Sequence, residues 1–201
     1  ALNQQVPSGL IVLADLQTQG RGRTQRSWVT PPGKAVLLSI VFGPELLPNP
    51  LSYLPILLAV AIRRAILQAC PELNQQIKLK WPNDVLGGQD NQKVAGILID
   101  GAFQSTSRSY CVAGIGINVN QLGNELPQVP SNAVQPTSLR IIRGSTLNQL
   151  ALIDRTDLVI SLCQSISELL ESAVVSSQSK KPDVAKGCLL YTSDAADELR
   201  S

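Results

Sequence analysis

Four short runs hold the residues best suited to chemistry. QTQGRGRTQRSW at 17–28 sets Arg21, Arg23 and Arg26 on a glycine-punctuated loop that ends at Trp28. Mobile backbone amides at Gly20 and Gly22 beside guanidiniums suit phosphate or carboxylate oxygens, because a guanidinium donates two parallel hydrogen bonds to such groups. Taken alone, the run reads equally well as a solvated turn or an RNA-touching element, and Trp28 as a core residue or as the cover of a heterocyclic ligand. KWPNDV at 80–85 gathers the cation of Lys80, the amide of Asn83 and the carboxylate of Asp84 at a strand end, where ordinary turn chemistry would also explain them. Lys93 opens KVAGILID and would set an ammonium at the sheet rim near that turn, as a solvated edge charge or as a ligand contact. In GIGINVN at 114–120, Gly114 and Gly116, with Gly96 upstream, permit close approach of a ligand or another backbone, while Asn118 and Asn120 mark where the strand leaves the core.

These runs need elements to position them. LIVLADL at 10–16 reads as a buried strand feeding the glycine-rich loop, and AVLLSIVFG at 35–43, after the turn signal PPGK, as its sheet neighbour. From Leu51 onward, apolar residues at 54, 58, 61, 62, 65, 66 and 69 form one helical face, with Ser52 as the expected cap, Pro55 in the first turn and Pro71 beyond the end. Ile77, Leu79 and Trp81 alternate with lysines as on a half-buried strand. Residues 81–92 are rich in turn formers, then VAGILIDGAF and SYCVAGIGINVN predict a hairpin. Residues 123–137 read as loop, and Asp154 with Asp157 three positions on predicts the start of a last helix through Leu158, Leu162, Ile166 and Leu169. The sum is an α+β domain, a mixed β-sheet with helices packed on one face. After Ser176 the chain turns polar and aperiodic, so 1–175 is expected to be the domain and 176–201 a non-family tail, artefactual or disordered.

Composition narrows the function. The 201 residues suffice for one core, and a net charge of +2 gives little whole-molecule attraction for nucleic acid or a membrane, so no partner of either kind is expected. No apolar run is expected to reach a membrane span, no leader is visible, and a cytoplasmic location follows. The four cysteines, Cys70, Cys111, Cys163 and Cys188, are scattered without metal-ligand spacing. Histidine is absent, which removes the usual base for a serine or cysteine nucleophile and the commonest zinc ligand. Any reaction must suit lysine, arginine, carboxylates, amides and backbone groups.

Each run alone favours the bland reading, but their order and spacing do not. QTQGRGRTQRSW with its following PPG, then KWPNDV, KVAGILID and GIGINVN, resemble the motif series of biotin protein ligases over Leu10 to Ser172. Lipoate ligases are the nearest relatives in fold. The resemblance implies a class II aminoacyl-tRNA synthetase/biotin ligase-like fold and a reaction in which biotin and ATP form biotinyl-5'-AMP, with transfer of biotin to a lysine of a biotin carboxyl carrier protein or carboxylase subunit. It further implies Lys93 and Arg23 as catalytic residues and Gln17, Gly20, Arg21, Arg23, Lys93, Gly96, Gly114 and Gly116 around biotin. Arg21, Arg23, Arg26, Trp28, Asn83, Asp84 and Asn118 would lie around the nucleotide, with Mg²⁺ near Asp84 rather than in a protein cage. The family's upstream Ser-Thr-Asn stretch and its terminal β-barrel are not found here, nor is a winged-helix region, so the chain is expected to be a fragment, without repressor activity. Family members are monomers or homodimers. The alternatives are a lipoate-type ligase, a biotin or adenylate-binding fragment without ligase activity, and an RNA-contacting domain built on the arginine loop.

Overall fold

A computed structural model describes residues 7–23, 27–47, 51–103, 109–148 and 150–178. Six strands, β1 (Ile11–Ala14), β2 (Ala35–Phe42), β3 (Lys78–Lys80), β4 (Asp84–Gly87), β5 (Gln92–Phe103) and β6 (Ser109–Asn118), form one sheet in the order β1-β2-β6-β5-β4-β3. Three α-helices accompany it: α1 (Leu54–Ala69), α2 (Leu139–Leu147) and α3 (Arg155–Gln178). Every strand pair is antiparallel, which corrects the expectation of a mixed sheet. The reason is local: no consecutive strands of the sheet pair in parallel, and the single parallel contact among the described residues is the bridge from Lys93 to Pro136. The α+β class stands.

Strand alternation separates two faces. Val36, Leu38, Ile40 and Phe42 of β2, Ala95 and Ile97 of β5, and Ala113, Ile115 and Ile117 of β6 enter one buried core with Leu58, Ile62 and Ile66 of α1 and Leu158, Leu162 and Ile166 of α3. Residues of the opposite parity, Leu37, Ser39, Gly96, Leu98, Gly114 and Gly116, border a cavity on the other face, which Leu38, Ile97 and Ile115 also line. Burial of the first set supplies the driving force for folding, at roughly 25 cal/mol per Å² of apolar surface. The stretch Leu51–Ala69 is long and apolar enough, by length and composition, to cross a membrane, contrary to the sequence reading. Its residues Leu54, Leu58, Ala61, Ile62, Ala65 and Ile66 are wholly buried in the core, so here it serves as a central helix.

Several boundaries differ from expectation. β1 is exposed rather than buried, with Val12 55% and Leu13 54% accessible, because it is an edge strand paired only with β2. Ser52 does not cap α1; it lies in a 3-10 turn, Leu51–Tyr53, that leads into the helix, while Pro55 falls in the first turn as expected. β4 was hidden among turn formers and is held by pairing with both β3 and β5. The sequence reading missed α2, whose Gly144, Ser145 and Thr146 are poor helix formers. Its ends are nevertheless marked: Ser138 Oγ accepts from the Ile141 N–H at 3.2 Å, and Asn148 closes it in the left-handed conformation. The expected change of character at Ser176 falls within the last turn of α3, and residues 179–201 lie outside the described residues. Cys70 and Cys111 are buried free thiols and burial raises their pKa, as it does for Cys163, so they suit structural rather than reactive roles; Cys188 lies outside the described residues.

Polar groups both tie the start of α3 to the end of β6 and cap the helix. Buried Asn120 brackets Ile153, donating from Nδ2 to its carbonyl at 2.8 Å and accepting its N–H at 3.0 Å. Asp154 then caps the helix, Oδ1 accepting from Thr156 N–H at 2.7 Å and Asp157 N–H at 3.3 Å. The Asn120→Ala variant leaves two backbone groups unpaired and should lose about 2–4 kcal/mol in urea unfolding. Hydrogen bonds to the carboxylate hold the Asp154 pKa below its ordinary 3.8. A depressed folded pKa stabilises above the unfolded value, and the gain disappears as pH falls through the folded one. The stability gap between wild type and Asp154→Asn should therefore narrow on acidification through 3.8, as read by thermal melts.

Candidate functional site

The loop that begins at Gly20 folds back over the uncovered face of the sheet. Its base is closed by the Trp28 N–H donating to the Gly20 carbonyl at 2.9 Å and by a bridge between Arg21 and Ser27. A side chain at Gly20 would collide with the Trp28 carbonyl oxygen, so this closure needs glycine. Arg26 lies outside the described residues. The indole of Trp28 rests on the sheet where β6 and β5 present Gly116 and Gly96 side by side in register. A Cβ at Gly116 would sit 2.6 Å from the indole, and one at Gly96 would crowd both the ring, at 3.2 Å, and Lys93 Cε, at 3.1 Å.

Next to the indole a cavity of about 200 Å³ opens. Gln17, Gly20, Arg21 and Arg23 border it from the loop side, Asn83 from the turn before β4, and Gly96, Gly114 and Gly116 from the sheet. Gly114 differs from its neighbours: a Cβ there would meet nothing closer than the Leu98 carbonyl at 3.7 Å. The protein itself does not fill the space above it, which leaves room for a ligand.

Lys93, Arg21 and Arg23 already have acceptors. Lys93 Nζ lies 2.6 Å from Asp84 Oδ1 in a half-buried ion pair and 5.9 Å from the Trp28 ring centroid. This follows from the sheet: Asp84 is in register with Gly96, and after a bulge between Val85 and Leu86 Lys93 pairs with Leu86. Arg21 reaches Asp100 Oδ2 at 2.8 Å, and Arg23 donates to Asn83 Oδ1 at 3.0 Å. Asn83 is itself fixed, its Nδ2 donating to the Ile97 carbonyl at 2.9 Å. No group of three metal-ligating side chains occurs among the described residues.

The structure thus assembles Gln17, Gly20, Arg21, Arg23, Trp28, Asn83, Gly96, Gly114 and Gly116 at one cavity, with Lys93 and Asp84 at its margin. Asn118 is placed differently, 4% exposed, with Nδ2 donating to the Thr137 carbonyl and Oδ1 accepting from Gln121 Nε2. Among the lining residues that escaped the sequence reading are Ser39, Leu98 and Asp100. Ser39 carried a signal, being the lone polar residue in AVLLSIVF at the parity that leaves the core.

A glycine-floored cavity lined by Arg21 and Arg23 on an antiparallel sheet has the chemistry to suit a small ligand with an anionic end. The chain belongs to the biotin/lipoate A/B protein ligase family, whose model matches residues 1–120. The bifunctional ligase/repressor BirA of Bacillus subtilis is 34% identical over 151 residues, covering 75% of this chain and 44% of the relative. The biotin–[acetyl-CoA-carboxylase] ligase of Mycobacterium tuberculosis is 32% identical over 123 residues, 59% of this chain and 42% of that protein. The chain thus spans less than half the length of these two curated relatives. The crystal structure of biotin protein ligase from Leishmania major in complex with biotinyl-5-AMP superposes with a TM-score of 0.62 at 21% identity, covering 84% of this chain and 69% of that one, a likeness of fold. The family resemblance drawn from the four motifs is borne out.

The two sheet glycines should respond differently to substitution. Gly116→Val must displace the indole and should lower stability by about 1–3 kcal/mol with a shifted tryptophan emission. Gly114→Val should melt within about 0.5 kcal/mol of wild type, yet fill the empty cavity and abolish ligand binding measured by calorimetry.

Proposed function

We propose that this chain is the adenylate-forming part of an ATP-dependent biotin protein ligase, with residues 1–175 as its ligase domain and 176–201 as an appended tail. The observation that carries the reading is Lys93, with its counter-ion Asp84 and the indole of Trp28, at the edge of a cavity that Arg21 and Arg23 also line. Biotin would lie over Gly114 between Gln17, Gly20 and the sheet glycines, with its carboxylate toward Lys93. The nucleotide would lie along Trp28, Asn83 and Asp84 toward the Asn118 end of β6, with Arg26 completing the phosphate-facing set. A biotin carboxylate oxygen attacks the α-phosphorus of ATP, the bond to the bridging oxygen breaks, and pyrophosphate leaves.

In that step the protein must bring two anions together and meet charge on the departing oxygens, a task for fixed cations and amides. The amine of a carrier lysine then attacks the acyl carbon, AMP leaves with the bond pair, and the amine's proton passes to solvent. Neither step requires an enzyme nucleophile, in keeping with a chain that contains no histidine. Asp84 is already paired with Lys93, and no group of three metal-ligating side chains occurs among the described residues, a donor set that suits Mg²⁺ delivered on the triphosphate better than a resident ion. Bound there, Mg²⁺ would neutralise phosphate charge. The acceptor in this reading is a biotin carboxyl carrier domain, and the setting is the cytoplasm.

The test is biotin-dependent exchange of labelled pyrophosphate into ATP by the chain. Lys93→Ala should lower the exchange rate by about 10²–10³-fold. Exchange driven by lipoate and indifferent to biotin would move the assignment to a lipoate ligase. Tight biotin binding with no adenylate formed would reduce the chain to a binding module.

A further inference from the structure

The two parts of the site come from distant segments, the Trp28 loop and the start of β5, and a buried set of polar side chains joins them. Gln121, 1% exposed, donates from Nε2 to Thr30 Oγ1 at 2.9 Å and to Asn118 Oδ1 at 3.0 Å. Asn118 passes the connection on, donating from Nδ2 to the Thr137 carbonyl at 3.0 Å. Thr137 N–H donates to the Lys93 carbonyl at 2.9 Å, and Lys93 N–H donates to the Gln135 carbonyl at 2.7 Å. Thr30, 4% exposed, stands two residues past Trp28, so the relay runs from the indole's segment to the backbone of the lysine beneath it.

Gln121 makes these bonds at a cost. Its Oε1 is buried and has no hydrogen-bond partner among the described residues. A fully buried amide with an idle acceptor is a poor choice for stability alone, where an apolar side chain of similar size would avoid the desolvation. What the glutamine provides is a forked donor that spans two acceptors on separate segments. Its own backbone is held as well, since Ser138 Oγ donates to the Gln121 carbonyl at 2.7 Å.

We propose that Gln121 is a positioning residue: through Thr30 on one side and Asn118 and Thr137 on the other, it fixes the Trp28 indole relative to Lys93. It touches neither partner and acts through their backbones. Only the kinetic arm of the test rests on the ligase reading.

The test places Thr30→Val and Gln121→Met in a Trp81→Phe background of the whole chain, so that Trp28 is the sole fluorophore of its kind; Trp81 is 60% exposed. Acrylamide quenching of Trp28 in the ligand-free chain should rise about twofold or more in both variants, and Thr30→Ser, which keeps the hydroxyl, should match the parent. In pyrophosphate exchange the kcat should fall about tenfold, with the biotin and ATP KM each within about threefold of the parent, as for a misplaced rather than a missing catalytic group. Unchanged quenching in variants that merely melt at lower temperature would overturn the proposal, and so would a loss confined to KM for ATP. If Gln121→Met does not fold, Thr30→Val alone decides. If the parent shows no exchange the ligase reading falls, while the quenching result still decides the role of Gln121.

Discussion

Close approach of the Trp28 indole to the sheet is the constraint on which the rest of the site depends. It is possible only because Gly116 and Gly96 stand side by side on neighbouring strands with no side chains between backbone and ring. From that contact the loop base follows, because the Gly20 to Trp28 closure must come down at this point. The position of Lys93 follows as well, since its stem runs alongside the same ring. Glycine in a strand interior ordinarily weakens a sheet, by roughly 0.5–1 kcal/mol against alanine. Here the loss is offset by an aromatic surface laid on the bare backbone.

Charge is arranged with similar economy. The exposed Arg21–Asp100 pair contributes little to stability, about 0–1 kcal/mol, and serves to lay the loop across β5. The Lys93–Asp84 pair is different, with side chains 29% and 21% exposed in a drier setting where a lone ammonium would be costly. Asp84 lets that ammonium reside at the cavity margin before any anionic ligand arrives. In the proposed reaction an incoming phosphate or carboxylate would meet a cation already held in place by Asp84. The small net charge of the chain fits a site whose cations are local, with Arg21 and Lys93 each paired with a carboxylate.

Much of this was legible in the sequence, for identifiable reasons. The hairpin of β5 and β6, the amphipathic face of α1 and the Asp154 cap are local patterns, and local patterns fixed them. The cavity glycines stand out as strand glycines that permit close approach, and Arg21 and Arg23 as donors to anionic oxygens, while the order of their motifs resembles a known series. What escaped depends on contacts distant in sequence. The short strand β4 exists because β3 and β5 flank it, and α2 because a serine cap and a buried Leu139 and Ile142 outweigh weak propensity. The exposure of β1 is a matter of edge position, which no seven-residue apolar run can report. Gln121 was invisible for the same reason: a glutamine after an asparagine-rich strand end looks solvated until Thr30, 91 residues away, is brought against it.

The alternation of β2, β5 and β6 divides labour between the two faces of one sheet. Residues of one parity, such as Leu38, Ala113 and Ile97, are buried beneath the helices and account for stability. Their immediate neighbours, Ser39, Gly114 and Leu98, meet the cavity. A one-residue slip in any of these strands would exchange the sets, placing glycines in the core and large aliphatic side chains in the ligand space. Register and function are therefore under the same constraint, and the polar anchors at the ends of these strands guard it. Asn120 locks the end of β6 to α3, and Asn118 locks it to the segment that pairs with Lys93. The two asparagines thus secure different neighbours, Asn120 the residue that leads into the helix layer and Asn118 the segment beside the site.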